Sequence, residues 1–401
     1  MISAARDRRS ALRSICGHCV GMGALLALER PSAQLAAAPA EPVLDAITLP
    51  RLARPAIDSD EGGLWALMDR EEARLRRSPF VVRDAALNDY LRSIVCRLAG
   101  DHCPDVRVHV VRTPVFNASM APNGMMQVWT GLLLRMDNEA QLATVLGHEL
   151  GHYLERHSVE RLRDMKSRAA FAQFLGLFGA VGSLGQLGML AGAFAFSRDH
   201  ETRADSLGIR LMQRAGYDGQ QAAQVWDNLL LELQVTGGED VGKRSPMMAT
   251  HPPLASRRSA LLRLAGDRSG DSGEQAYRDA MAAHRMTWLQ DEVRRGQFDE
   301  SLVLLDRLAR RSPADAGVLF ARGETLRLRA TGPDASRALD DLSAAAALPG
   351  VPPQAHRSLG LLHRQRGDLP AAARAFESYL SASPEAADAA LIRHYLKEIS
   401  P

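Results

Sequence analysis

At 401 residues, with 46% apolar and 24% charged side chains, the sequence has the balance of a soluble globular protein long enough for two or three domains. Its 49 Lys and Arg against 47 Asp and Glu leave a net charge of +2, which gives no basic footprint for a nucleic-acid partner. Aromatic residues are sparse at 5%, and abundant Ala and Leu point to a mainly α chain with a smaller α+β part.

The first forty residues read as an address. Arg6, Arg8, Arg9 and Arg13 form a basic leader, Ile15 to Leu28 is a short apolar stretch, and Ala36 to Ala40 offers small residues for cleavage. This is the pattern of a signal peptide over 1–40, although His18, Cys16 and Cys19 interrupt it and leave a disordered leader as the alternative. A Pro-containing linker over 41–59 then leads into a domain expected over 60–266. From Leu64 to Ala99 the pattern is helical, with Leu87, Leu91, Ile94, Val95 and Leu98 as its apolar stripe. Cys96 and Cys103 are near enough for a small-loop disulfide in an exported protein, or are two unrelated thiols.

The period then changes. Val106, Val108 and Val110 alternate with Arg107 and His109 as a strand, residues 117–124 are rich in turn formers, and Met125 to Thr130 reads as a second strand. A long helix is expected over 139–163. The uncharged, glycine-punctuated stretch 169–196 is long enough for a transmembrane helix. Its glycines cannot share one helical face, which favours a broken hairpin near the active site or on a membrane surface. Helices follow over 197–215, 220–234 and 256–264, with a Gly-rich loop from Val235 to Pro246. A linker is expected over 267–274.

Beyond it the chain repeats. Gly296, Ser301, Leu305, Leu308 and Pro313 recur as Gly367, Ala372, Phe376, Tyr379 and Pro384, 71 residues later. Ala338, Leu342 and Ala345 supply a copy between them. Small residues where helices cross, a bulky residue one turn later and a closing Pro make the tetratricopeptide signature, so 275–401 is expected to be an α-helical solenoid.

The chemistry concentrates in Gly147-His148-Glu149-Leu150-Gly151-His152. Residues four apart on a helix are only about 40° apart around its axis, so His148 and His152 can offer two imidazole nitrogens to one Zn²⁺. Glu149 lies close enough to move protons without ligating. Leu142, Val145, Leu146 and Tyr153 place the opposite face in a core, while Gly147 and Gly151 invite another element to approach.

A catalytic zinc needs a third protein ligand. Glu201, 49 residues beyond His152, opens the helical phrase Glu201-Thr202-Arg203-Ala204-Asp205. Glu201 can ligate while Asp205, four residues on, hydrogen-bonds the outer nitrogen of a ligand histidine. A surface salt bridge with Arg198 or Arg203 is the plainer alternative. His157 lacks the spacing of a third histidine ligand, His200 would point away from Glu201, and His109 reads as structural. His251, stiffened by Pro252 and Pro253, could donate to a developing oxyanion, occupy the open metal position as a latch, or be an ordinary loop histidine.

Together, HELGH at 148–152, SRDHETRAD at 197–205 and THPP at 250–253 resemble the HtpX/BepA-type gluzincin zinc endopeptidases, whose exported branch carries a tetratricopeptide tail. Residues 117–124 resemble that family's turn before its substrate-facing strand, with Asn123 in place of a glycine. The resemblance covers roughly 60–265 and the tail's architecture.

It implies His148, His152 and Glu201 as ligands of one Zn²⁺, Glu149 as the base and His251 as a regulatory or transition-state histidine. It also implies a gluzincin fold with a small sheet and periplasmic quality control of outer-membrane proteins. Expected partners are unfolded or misassembled protein substrates, outer-membrane assembly proteins on the repeats and a membrane surface against 169–196. An extended substrate is expected to pair with the strand 125–130. The alternative is a largely latent protease acting as a repeat-mediated chaperone or adaptor.

Overall fold

The computed structural model describes residues 52–164, 196–236, 247, 251 and 257–399. The leader, the stretch 169–195, Pro252 and Pro253 lie outside these residues, as does the Gly-rich loop from 237 to 246. The described residues belong to one compact unit.

The chain enters through α1 (Asp60–Arg77), capped by the Ser59 hydroxyl on the Gly62 N–H. The continuous helical pattern of the sequence is broken after Arg77, where Ser78 is extended ahead of Pro79. Val81 there bridges to Val111 before α2 (Ala85–Ala99) begins under the Asp84 cap. A disulfide joins Cys96 on α2 to Cys103 in the following 3₁₀ turn.

Three short strands follow: β1 (Arg107–Val111), β2 (Ala118–Met120) and β3 (Met125–Trp129). Their order is β1-β3-β2, with β3 parallel to β1 and antiparallel to β2. This corrects two expectations. The segment expected as turn contains β2, which is an edge strand. The strand 125–130, expected to receive substrate, is the fully buried central strand, hydrogen-bonded on both sides. Thr130 itself starts a short helix, α3 (Thr130–Arg135).

Asn138 caps α4 (Glu139–Leu154), whose sixteen residues are all buried. The expected long helix breaks at Glu155 and Arg156. Arg156 takes a left-handed φ of 59° without being glycine, at a cost of about 1–2 kcal/mol, and α5 (His157–Asp164) starts in a new direction. Next come α6 (Arg198–Arg214), α7 (Gln221–Gln234) and α8 (Arg257–Ala265).

Six more helices follow: α9 (Glu274–Arg294), α10 (Phe298–Arg311), α11 (Ala316–Arg329), α12 (Asp334–Ala346), α13 (Gln354–Gln365) and α14 (Leu369–Ala382). A last helix, α15 (Ala389–Ile399), closes the row. Gly360 is required where α13 crosses α14: a Cβ there would lie 2.3 Å from the Phe376 ring. The architecture is thus mainly helical with one small sheet, as the sequence predicts.

The segment expected as a linker is tied down. Asp271 pairs with Gly216 and Asp218, and the Ser272 carbonyl accepts from the Ala140 N–H at the start of α4. One apolar core runs from Leu87 and Leu91 on α2 through Leu142 and Leu146 on α4 to Trp288 on α9, Leu305 on α10 and Val318 on α11. A buried ion network crosses the same boundary. Arg135, 3% exposed, binds Glu232 on α7 at 2.6 Å and Glu292 on α9 through both Nη atoms at 2.9 and 3.0 Å. Among the described residues, no helix is long and apolar enough to cross a membrane.

Candidate metal centre

The site is made where α4 crosses α6. A Cβ on Gly151 would lie 2.8 Å from the Ala204 carbonyl oxygen, and one on Gly208 would lie 2.9 Å from the His148 nitrogen. Glycine on both helices therefore permits a backbone approach that alanine would block. This approach brings Glu201 and Asp205 on α6 against His148 and His152 on α4.

The Nε2 atoms of His148 and His152 lie 3.0 Å apart. Glu201 Oε1 is 3.3 Å from His152 Nε2, and Glu201 Oε2 is 3.6 Å from His148 Nε2. His251 joins them, so that one ligand atom from each of the four residues lies within 4.8 Å of the others. All four side chains are buried.

The electrostatics favour a cation. Burial pushes the Glu201 carboxyl up to about 8, with Asp205 adding to the rise against Arg257. Burial and the neighbouring Glu201 hold Glu149 well above the usual carboxylate range, although the backbone of Met120 favours its charge. Burial holds His148, His152 and His251 below the usual imidazole range, so each is a neutral donor. Among the described residues, Glu201 Oε1 has no hydrogen-bond partner although it is buried. Converging imidazole nitrogens and a buried carboxylate oxygen are what a divalent metal of nitrogen and oxygen preference requires.

Asp205 Oδ1 lies 2.9 Å from His148 Nδ1, leaving Nε2 of that ring toward the cluster. Arg203 is not its partner; that guanidinium reaches Glu160 at 2.6 Å and Glu155 at 3.3 Å instead.

Two residues that sequence reasoning passed over also meet the site. Arg257, 5% exposed, binds Asp205 at 2.7 Å and Glu201 at 3.3 Å, with its guanidinium 3.7 Å from the Trp226 ring centroid. Its signal is faint, because Arg257 and Arg258 read together as the polar side of a surface helix. His157, set aside for its spacing as a ligand, places Nδ1 2.8 Å from Nδ1 of His152. Burial, with His200 and Arg203 nearby, pushes it down to about 3, so this ring is neutral. Phe196 stacks on His152 at 3.8 Å. His109 is structural as expected, 2.9 Å from Glu72.

Residues 82–265 match the family model described as Peptidase family M48, and 332–387 match that of a Tetratricopeptide repeat. The chain carries an M48 peptidase domain followed by tetratricopeptide repeats. Its M48 region is 35% identical over 155 residues to the mitochondrial metalloendopeptidase OMA1 of Arabidopsis thaliana, covering 39% of this chain and 30% of that protein. It is 32% identical to OMA1 of Schizosaccharomyces pombe, over 37% of this chain and 44% of the relative. It is 28% identical over 201 residues to the beta-barrel assembly-enhancing protease of Escherichia coli K12, over 46% of this chain and 40% of the relative. The matches thus span less than half the length of these relatives.

Proposed function

We propose that this protein is a zinc-dependent endopeptidase that hydrolyses peptide bonds of unfolded or misassembled proteins. The observation that carries the reading is the convergence of His148, His152 and Glu201 around a common point with Glu149 beside them. Zn²⁺ held by those three residues would supply Lewis acidity to the scissile carbonyl and to the attacking water.

The protein's own groups do the rest. Glu149, kept proton-avid by burial, takes a proton from the attacking water onto its carboxylate and returns it to the nitrogen of the leaving amine. Edge strand β2 holds the substrate. The bonds Ala121 N–H to Met125 O and Trp129 N–H to Asn117 O fix the register, so Ala118 and Met120 turn their peptide groups away from β3. The Met120 N–H is already given to Glu149, so an extended substrate pairs through its main chain with the outward groups that remain, chiefly those of Ala118, which admits many sequences.

His251 acts in this reading as a latch. Its Nδ1 lies 3.2 Å from the Met247 carbonyl, which fixes the proton there and leaves Nε2 as a lone pair rather than an oxyanion donor. Nε2 is 3.6 Å from Glu149 and 4.0 Å from Glu201, within the ligand cluster.

The division of labour we propose puts catalysis in 60–266 and recognition of protein partners, including outer-membrane assembly proteins, in the repeats of 275–401. A periplasmic location is supported by the basic leader pattern and by the Cys96–Cys103 disulfide, a bond favoured in oxidising compartments. The name of the E. coli relative supports a role beside β-barrel assembly. Surface contact of 169–196 with a membrane belongs to the same proposal.

The deciding experiment compares purified wild type with Glu149→Gln for metal content and cleavage of an unfolded protein. One zinc per chain in both, with cleavage reduced about 10²–10⁴-fold in the variant, is expected. Equal turnover would remove Glu149 from the chemistry. The second reading, a latent protease acting as an adaptor, is favoured by the placement of His251. It would win if Glu149→Gln fully rescued a deletion strain.

A further inference from the structure

We propose that His157 is the positioning residue that sets the proton and the ring plane of His152, an assignment that rests on His152 being a metal ligand. His152 turns Nε2 toward His148 and Glu201, at 3.0 and 3.3 Å. A nitrogen that binds a metal carries no proton, so a neutral His152 must hold its proton on Nδ1. That atom faces His157 Nδ1 at 2.8 Å. Only one proton can lie between two nitrogens, so His152 donates and His157 accepts; the proton of His157 then falls on Nε2, which is buried with no hydrogen-bond partner among the described residues.

His157 is itself held on two sides. It is 0% exposed and stacks on His200 with centroids 4.5 Å apart and planes 21° from parallel. His200 Nε2 lies 3.0 Å from Glu160, which also takes Arg203 at 2.6 Å. The left-handed Arg156 reverses the chain just before His157, and its side chain pairs with Glu61 on α1. The backbone break that ends α4 therefore has a use: a helix continued straight through 155–156 would carry residue 157 around to another face.

The charge count explains why the acceptor is an imidazole. Ligand histidines are commonly oriented by a carboxylate, as Asp205 orients His148 here. Among the described residues, Glu149, Glu201 and Asp205 already share this buried pocket with one guanidinium, Arg257, in contact with it. A fourth carboxylate at 157 would add like charge to groups that burial already opposes. A neutral nitrogen aims His152 without that cost, and it leaves the two ligand histidines electronically unequal.

The test measures Zn²⁺ affinity of the full chain by chelator competition, alongside thermal unfolding of the metal-free protein. His157→Phe keeps a ring against His200 and removes the acceptor; His157→Asn restores an acceptor oxygen near the lost nitrogen. Expected is an affinity about 10–100-fold weaker for His157→Phe, recovered in large part by His157→Asn, with similar unfolding temperatures for the two. Wild-type affinity in His157→Phe overturns the assignment. Equal weakness in both variants also overturns it, since packing alone would then account for the loss. A wild-type protein that binds no Zn²⁺ overturns the metal centre itself, an outcome distinguishable from either of these.

Discussion

His251 shows how much one hydrogen bond decides. In the proposed reading the Nδ1 proton is committed to Met247, and the other nitrogen fills a coordination position rather than serving an oxyanion. His251→Ala is therefore expected to raise cleavage of an unfolded protein severalfold in a continuous fluorescence assay. A fall in rate would show that the ring serves the transition state instead. At this scale the sequence was readable where placement follows helical spacing: the four-residue steps His148–His152 and Glu201–Asp205 do bring those side chains into one cluster, with Glu149 beside them. Arg257 and His157 were not, because their importance lies in partners on other elements. Arg257 meets Asp205 from 52 residues away, and His157 reaches His152 only because the helix between them breaks.

Among elements, the crossing of α4 and α6 governs the site, and glycine governs the crossing. Gly208→Ala would set a Cβ 2.9 Å from the His148 nitrogen and 3.0 Å from the Gly147 carbonyl carbon, so α6 must back away and carry Glu201 with it. The expected outcome is a loss of about 1–3 kcal/mol in stability, together with weaker metal binding by calorimetry. A variant that binds metal as wild type does would show that the helices can part without opening the ligand set. The glycines of 147 and 151 announced this approach, but the sheet was less legible. Three residues of β2 are too few to show a period of two. The buried run of β3 looks the same whether its neighbours are two strands or one, so its central place was invisible to local pattern.

At the scale of the whole molecule, Arg135 binds the M48 domain to helices α9 and α10. Its guanidinium satisfies Glu232 and Glu292 inside the protein, while its carbonyl accepts from Arg307 on α10. Arg135→Ala leaves buried Glu232 with only Arg307 at 3.8 Å and buried Glu292 with Arg295 at 2.9 Å, and is expected to cost about 3–5 kcal/mol, read as a lower midpoint in denaturant titration. An unchanged midpoint would mean that water replaces the guanidinium freely. The repeat spacing foretold the solenoid, since small and bulky residues at fixed offsets are a local signal. It did not foretell that helices α9, α10 and α11 complete the core of the M48 domain, because apolar faces do not name their partners.

That shared core sets where the chain can be divided. Cutting within 267–274 would strip Trp288, Leu305, Leu308 and Val318 from the apolar surfaces they cover and leave Arg135 facing solvent. The M48 domain is thus not a detachable module, since the core it shares runs on as far as Ala321. Any partner that pulls on the early repeats pulls on the floor beneath the metal centre.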